Sequence, residues 1–174
     1  MPQPQNPLNK SAEKPAEKNR QVTPLSVLQR FRVLIRTAQR HSQWIERQSG
    51  VTGAQLWALQ ELSEVPGLRV GELANCMALH QSTASNMIDR LETGGLIRKE
   101  RTSADQRVVR LYLTDEGEAL LARAPSPARG ILPEALRRLD EDDLLRLQTE
   151  LDGLLHKIKV LDDGFGMQPL PFTE

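Results

Sequence analysis

Between residues 70 and 117 three short elements follow one another with almost no slack, and this succession constrains the fold more than any other feature of the chain. The first is Val70-Gly-Glu-Leu-Ala-Asn-Cys-Met-Ala-Leu79. The second begins His80-Gln-Ser-Thr-Ala-Ser-Asn-Met-Ile-Asp-Arg-Leu-Glu92. After Gly94-Gly95 comes a charged run, Leu96-Ile-Arg-Lys-Glu-Arg101, then a polar tip over 102–107. In the returning segment Val109, Leu111 and Leu113 alternate with Val108, Arg110 and Tyr112, the period-two pattern of a half-buried strand. The pattern predicts a helix-turn-helix with a basic β-hairpin set beside it.

Helical spacing organises the rest. A helix is expected over about 24–48, where Val27, Phe31, Leu34, Ile35, Ala38 and Ile45 share a face, Pro24 suits the first turn and Gly50 ends it. Thr52 should cap a second helix over 53–63, with Leu56, Leu59 and Leu62 inward. Pro66-Gly67 makes a turn, and a third helix is expected to run through Leu79. Ser82 or its neighbour should cap the fourth, which puts Ala84, Met87, Ile88 and Leu91 on one face. Ser82, Asn86, Asp89 and Thr93 fall opposite, flanked by Thr83 and Arg90 on one side and Ser85 on the other.

Thr114 should cap a fifth helix with Asp115 and Glu116 at its positive end. Pro125-Ser126-Pro127 and Gly130 break the pattern. A last helix over about 140–161 carries Leu144, Leu147, Leu151, Leu154, Leu155 and Ile158 and is expected to pack on the first helix, from the same chain or a second copy. The chain is expected to divide into a disordered tail (1–22), an N-terminal helix (23–50), a compact lobe (51–117), C-terminal helices (118–162) and a tail (163–174) with Phe165, Leu170 and Phe172 as anchors.

The 174 residues have a formal net charge of zero, but the charge is unevenly spread. Residues 1–68 hold nine Lys/Arg against five Asp/Glu, 69–110 hold seven against five, and 111–174 hold seven against thirteen. Screening over about 8 Å makes this local distribution matter more than the total. No apolar run is long enough to span a bilayer, the N-terminus lacks a signal-peptide core, and a single cysteine suits a reducing compartment, so a cytoplasmic location is expected, with no membrane partner. No phosphate loop, nucleophile elbow or metal-ligand spacing occurs, and His41, His80 and His156 are scattered. Neither an enzyme nor a cofactor nor a metal is expected.

At Asp105-Gln-Arg107-Val-Val-Arg-Leu-Tyr-Leu-Thr114-Asp-Glu-Gly117 the chain resembles the MarR-type bacterial transcription regulators, whose wing reads Asp-x-Arg, an apolar strand, then Leu-Thr-x-x-Gly. The preceding Gln81-Ser-Thr-Ala-Ser-Asn and Ile88-Asp-Arg-Leu-Glu, with Gly95-Leu-Ile, are similar to that family's recognition helix, and the resemblance covers about 25–161. It implies a mainly α, winged helix-turn-helix fold with dimerising terminal helices. It also implies a homodimer on a palindromic double-stranded DNA operator, most often a repressor, with a small-molecule inducer.

Small hydroxyl and amide side chains can meet phosphates and base edges without burying charge. Gln81, Ser82, Thr83, Ser85, Asn86 and Arg90 are therefore the expected groove contacts. Arg107 suits a narrow minor groove, with Asp105 two residues away to brace it. Arg98, Lys99 and Arg101 are expected on phosphates, and Arg110 paired with a nearby carboxylate. Arg36, Arg40, His41, Trp44 and Trp57 are the candidate lining of a cleft for a small anionic aromatic inducer. Two alternatives compete: a winged-helix protein-interaction module without DNA affinity, and a thiol-based redox-sensing regulator acting through Cys76. Against the second, Cys76 lies among Leu73, Ala74, Met77 and Leu79 and is expected to be buried and unreactive.

Overall fold

The structure, a computed structural model, describes residues 22–102, 105–159 and 163–173, with the backbone alone at 102, 105–107 and 163. The N-terminal tail, apart from Val22, lies outside the described residues. Helix α1 (Pro24–Ser49) opens on a capping box in which Thr23 and Ser26 exchange side-chain and backbone bonds. It closes at Gly50, whose φ of 75° is left-handed and whose N–H reaches the Glu46 carbonyl. Helix α2 (Gly53–Glu64) begins with a second capping box, between Thr52 and Gln55.

Helix α3 (Val70–Cys76) is shorter than expected. It does not reach Leu79 because Ala78 turns left-handed at φ 52°, while Leu79 N–H bonds back to Ala74. Helix α4 (Gln81–Thr93) follows directly. Its N-cap is His80, and no side chain caps it, so neither Ser82 nor a neighbour has the capping role the sequence suggested. Strands β1 (Ile97–Thr102) and β2 (Asp105–Leu113) form one antiparallel hairpin, with Ile97 opposite Leu113 and Lys99 opposite Leu111. The segment before α3 lies along β2, through the Gly67 N–H to Leu111 carbonyl and Leu111 N–H to Leu68 carbonyl bonds.

Helices α5 (Asp115–Arg123), α6 (Ile131–Leu136) and α7 (Glu141–Ile158) complete the described helices. The expected break falls between α5 and α6, where the Ser126–Pro127 bond is cis. The core sits in the lobe. Ile45, Leu56, Leu59, Leu62, Leu73, Ile88, Leu91 and Leu111 are almost fully buried, each stabilising the fold by about 1.5–3 kcal/mol relative to exposure.

Helix α1 packs on α2 and α6, and α7 buries no residue. The expected seating of the last helix on the first within one chain is therefore not seen. The Leu144, Leu147, Leu151, Leu154, Leu155 and Ile158 stripe faces outward, as do Leu25, Val33, Leu34 and Ile35 of α1. No described helix is long and apolar enough to cross a membrane.

Candidate nucleic-acid interface

Helix α4 is held by one face and shows the other. Ala84, Met87, Ile88 and Leu91 are in the core, while Gln81, Ser82, Asn86, Asp89 and Arg90 are exposed and Thr83 and Ser85 half-buried. The hairpin is locked to the end of α4. Lys99 Nζ donates to Asp89 at 2.6 Å and Glu92 at 2.7 Å, and these two carboxylates raise its pKa. Thr114 fastens the far end, donating its hydroxyl to the Gly95 carbonyl at 2.6 Å and accepting from Gly117 N–H.

Gly117 has no choice of residue: a Cβ there would stand 2.1 Å from the Leu96 carbonyl oxygen. The Leu-Thr-x-x-Gly motif is thus the joint between hairpin and α5.

The cations of the hairpin divide by what holds them. Arg98 donates to Glu100 and to the Leu113 carbonyl and lies over the Tyr112 ring at 5.0 Å. Lys99 is committed to α4. Arg110 donates to the Gly67 carbonyl at 3.0 Å rather than to a carboxylate, which corrects the expected pairing. Arg101 and Arg90 are exposed. Asp105 and Arg107 have their backbone in β2, and their side chains lie outside the description.

Cys76 is exposed, against expectation, as the last residue of α3. Partial desolvation, then the Glu61 and Glu72 carboxylates, push its thiol pKa up, which favours the less reactive protonated form.

A cavity of about 300 Å³ lies between α1, α2, the turn after α3, and α6. His41 and Trp57 line it. Arg36, Arg40 and Trp44 do not: Trp44 is exposed and touches His41 from outside, with ring centroids 5.7 Å apart. His41 Nε2 donates to the Pro127 carbonyl at 3.1 Å.

The comparisons with known proteins agree with this geometry. The MarR family model matches residues 49–108, from the last residue of α1 into β2. An uncharacterized HTH-type transcriptional regulator of Bacillus subtilis (strain 168), YsmB, is 30% identical over 115 residues, covering 66% of this chain and 79% of the relative. The chain belongs to the MarR family. It is a transcriptional regulator of that family and not an enzyme. The HTH-type transcriptional repressor MdtR of the same bacterium is 36% identical over 97 residues, 56% of this chain and 63% of that one. A crystal structure of a MepR-like protein complexed with pseudoligands matches with a TM-score of 0.54 at 27% identity, covering 77% of this chain and 97% of the other.

Within this MarR-family regulator, sequence reasoning missed Arg129. Its guanidinium is nearly buried on the cavity wall and bonds Glu61 at 2.6 Å and Glu64 at 2.5 Å, and Glu61 also accepts from Trp57 Nε1 at 2.8 Å. Those hydrogen bonds, with a further one from Gln60, hold Glu64 at a pKa of about 2 instead of 4.5. Arg129 stands 65 residues from its nearer partner in sequence, so no local signal marks it.

Proposed function

We propose that this regulator binds double-stranded DNA as a homodimer, with α4 in the major groove of each half-site and the wing over 96–113 beside it. The exposed face of α4 carries the reading. Four polar side chains, Gln81, Ser82, Asn86 and Arg90, stand free on a helix whose opposite face is fixed in the core. Thr83 and Ser85 flank them, Arg101 supplies a phosphate contact, and Arg107, two residues after Asp105, is assigned to the minor groove. Lys99 ties the wing to α4 for this contact, and Arg98 bonds across the hairpin to the Leu113 carbonyl.

The outward apolar stripes of α1 and α7 suit a second copy, so 23–50 and 118–162 are the dimerising parts and 51–117 the DNA-binding lobe. A two-fold dimer then calls for a pseudo-palindromic operator with half-sites roughly 10 bp apart. Repression is the output that the likeness to MdtR supports, and a small molecule in the cavity is the signal that the likeness to a MepR-like protein with pseudoligands supports.

The test is a mobility-shift titration at two salt concentrations. Binding that weakens steeply with salt is the expected result. Absent or salt-insensitive binding would favour a protein-interaction module. Retention of full peroxide insensitivity in Cys76→Ser and the wild type alike is expected. A peroxide response lost on that change would restore the redox-sensing alternative.

A further inference from the structure

The segment 163–173 ties the cavity to the start of α4. A 3-10 turn, Asp163–Met167, carries it back over the lobe. Two backbone bonds seat it: His80 N–H donates to the Met167 carbonyl at 2.9 Å, and Ala54 N–H to the Thr173 carbonyl at 3.0 Å. Both donors sit at helix starts, where amides lack intrahelical partners. Phe165, just before the first anchor, and Leu170 and Phe172, between the two, form one wall of the cavity. Phe165 and Leu170 remain largely exposed, so as anchors they are weaker than the backbone bonds.

The same segment lies beside the first turns of α4. Met167 shares a groove with Gln81 and Val108, and Pro169 shares another with Thr83, Asn86 and Arg90. Those α4 positions are the ones assigned to DNA above; they stay accessible beside the seated segment, and a duplex lying on this face would meet Met167 and Pro169.

The cavity wall narrows the ligand. Arg129 is the one Lys or Arg among the described lining residues, and two carboxylates already occupy it. His41 Nε2 is engaged with Pro127. Trp57, Met77, Leu79 and Ile131 are among its apolar lining. An anion would lose its hydration and find no unpaired charge, which argues against the anionic aromatic expected from the sequence. The volume lies at the lower end of the roughly 300–1,000 Å³ typical of small-molecule sites, with the segment already closed.

We propose that the cavity takes a neutral aromatic molecule beneath segment 163–173, and that this ligand, by holding the segment down, shuts the start of α4 to DNA. The second half rests on the DNA-binding reading; the first does not. Ligand and duplex then select different states of one segment, which is a coupling between two sites.

The probe is N-phenyl-1-naphthylamine, a neutral aromatic whose fluorescence rises in apolar surroundings. It should bind the full chain without displacement by benzoate, and it should slow amide exchange at both Ala54 and His80. A chain ending at Lys159, shown folded by circular dichroism, should bind it at least about tenfold more weakly. Phe172→Ala in the full chain should weaken it in the same direction. On a duplex recovered by selection from randomised oligonucleotides, the probe should weaken binding by the full chain and leave the shortened chain unaffected.

Equal probe affinity in the full and shortened chains, or unchanged exchange at Ala54 and His80, would overturn the lid. Displacement by benzoate would overturn the ligand class. Slowed exchange in a chain that binds no duplex would keep the lid and remove the DNA reading.

Discussion

At the scale of single residues, Gly117 and Lys99 show how the wing is positioned. Gly117→Ala would drive a methyl into the Leu96 carbonyl, and backbone on both sides leaves little room to give. The expected cost is about 2–4 kcal/mol in urea unfolding, in the range of severe steric substitutions. A loss below ~0.5 kcal/mol would mean the joint is softer than its geometry. Lys99 and Arg101 make a contrasting pair. Lys99→Met should cost about 1 kcal/mol of stability, since a half-sheltered ammonium holds two carboxylates, and should leave the salt slope of DNA binding unchanged. Arg101→Ala should leave stability unchanged and lower that slope by close to one unit per protomer. Reversal of the two phenotypes would exchange their roles. From sequence the two residues looked alike, because both are cations on β1. What separates them is that Lys99 lies within reach of the last turns of α4, which only the folded packing sets.

At the scale of elements, legibility followed the range of the interactions. Helix α4 was readable because its core face repeats every three to four residues and its exposed face is what remains. The break at 125–127 was readable from two prolines. The end of α3 was not: the left-handed Ala78 closes it, and nothing in Met77-Ala-Leu79 resembles the usual Gly stop. The Arg129 link from the α5–α6 connection to α2 was equally hidden, because it joins distant segments.

That link makes a pH prediction. A depressed carboxylate pKa means the folded state favours the charged Glu64, so its contribution is fully present above about 4.5 and is lost as pH falls toward about 2. Urea midpoints measured across that window should fall less steeply in Glu64→Gln than in the wild type. Parallel curves would show that the bond to Arg129 contributes little in solution.

At the scale of the whole molecule, the apolar surface left outside the lobe is the main clue to assembly. Leu151 of α7 touches no core, and it is 39% exposed in the single chain. Leu151→Glu should therefore leave the fold intact while converting a dimer to a monomer in light scattering at micromolar concentration. A variant that stays dimeric would place the two-fold contact elsewhere. The sequence displayed this stripe clearly, but its period could not say whether the covering helix came from the same chain. The outward stripe on α1 turns the choice toward a second copy.

Under the proposed function, two copies of the α4 face read one duplex. A hydroxyl-radical footprint on a duplex selected from randomised oligonucleotides tests it most directly. Two dyad-related protected patches on one face of the helix, centred roughly 10 bp apart, are expected. A single asymmetric patch, or no enriched sequence at all, would contradict it.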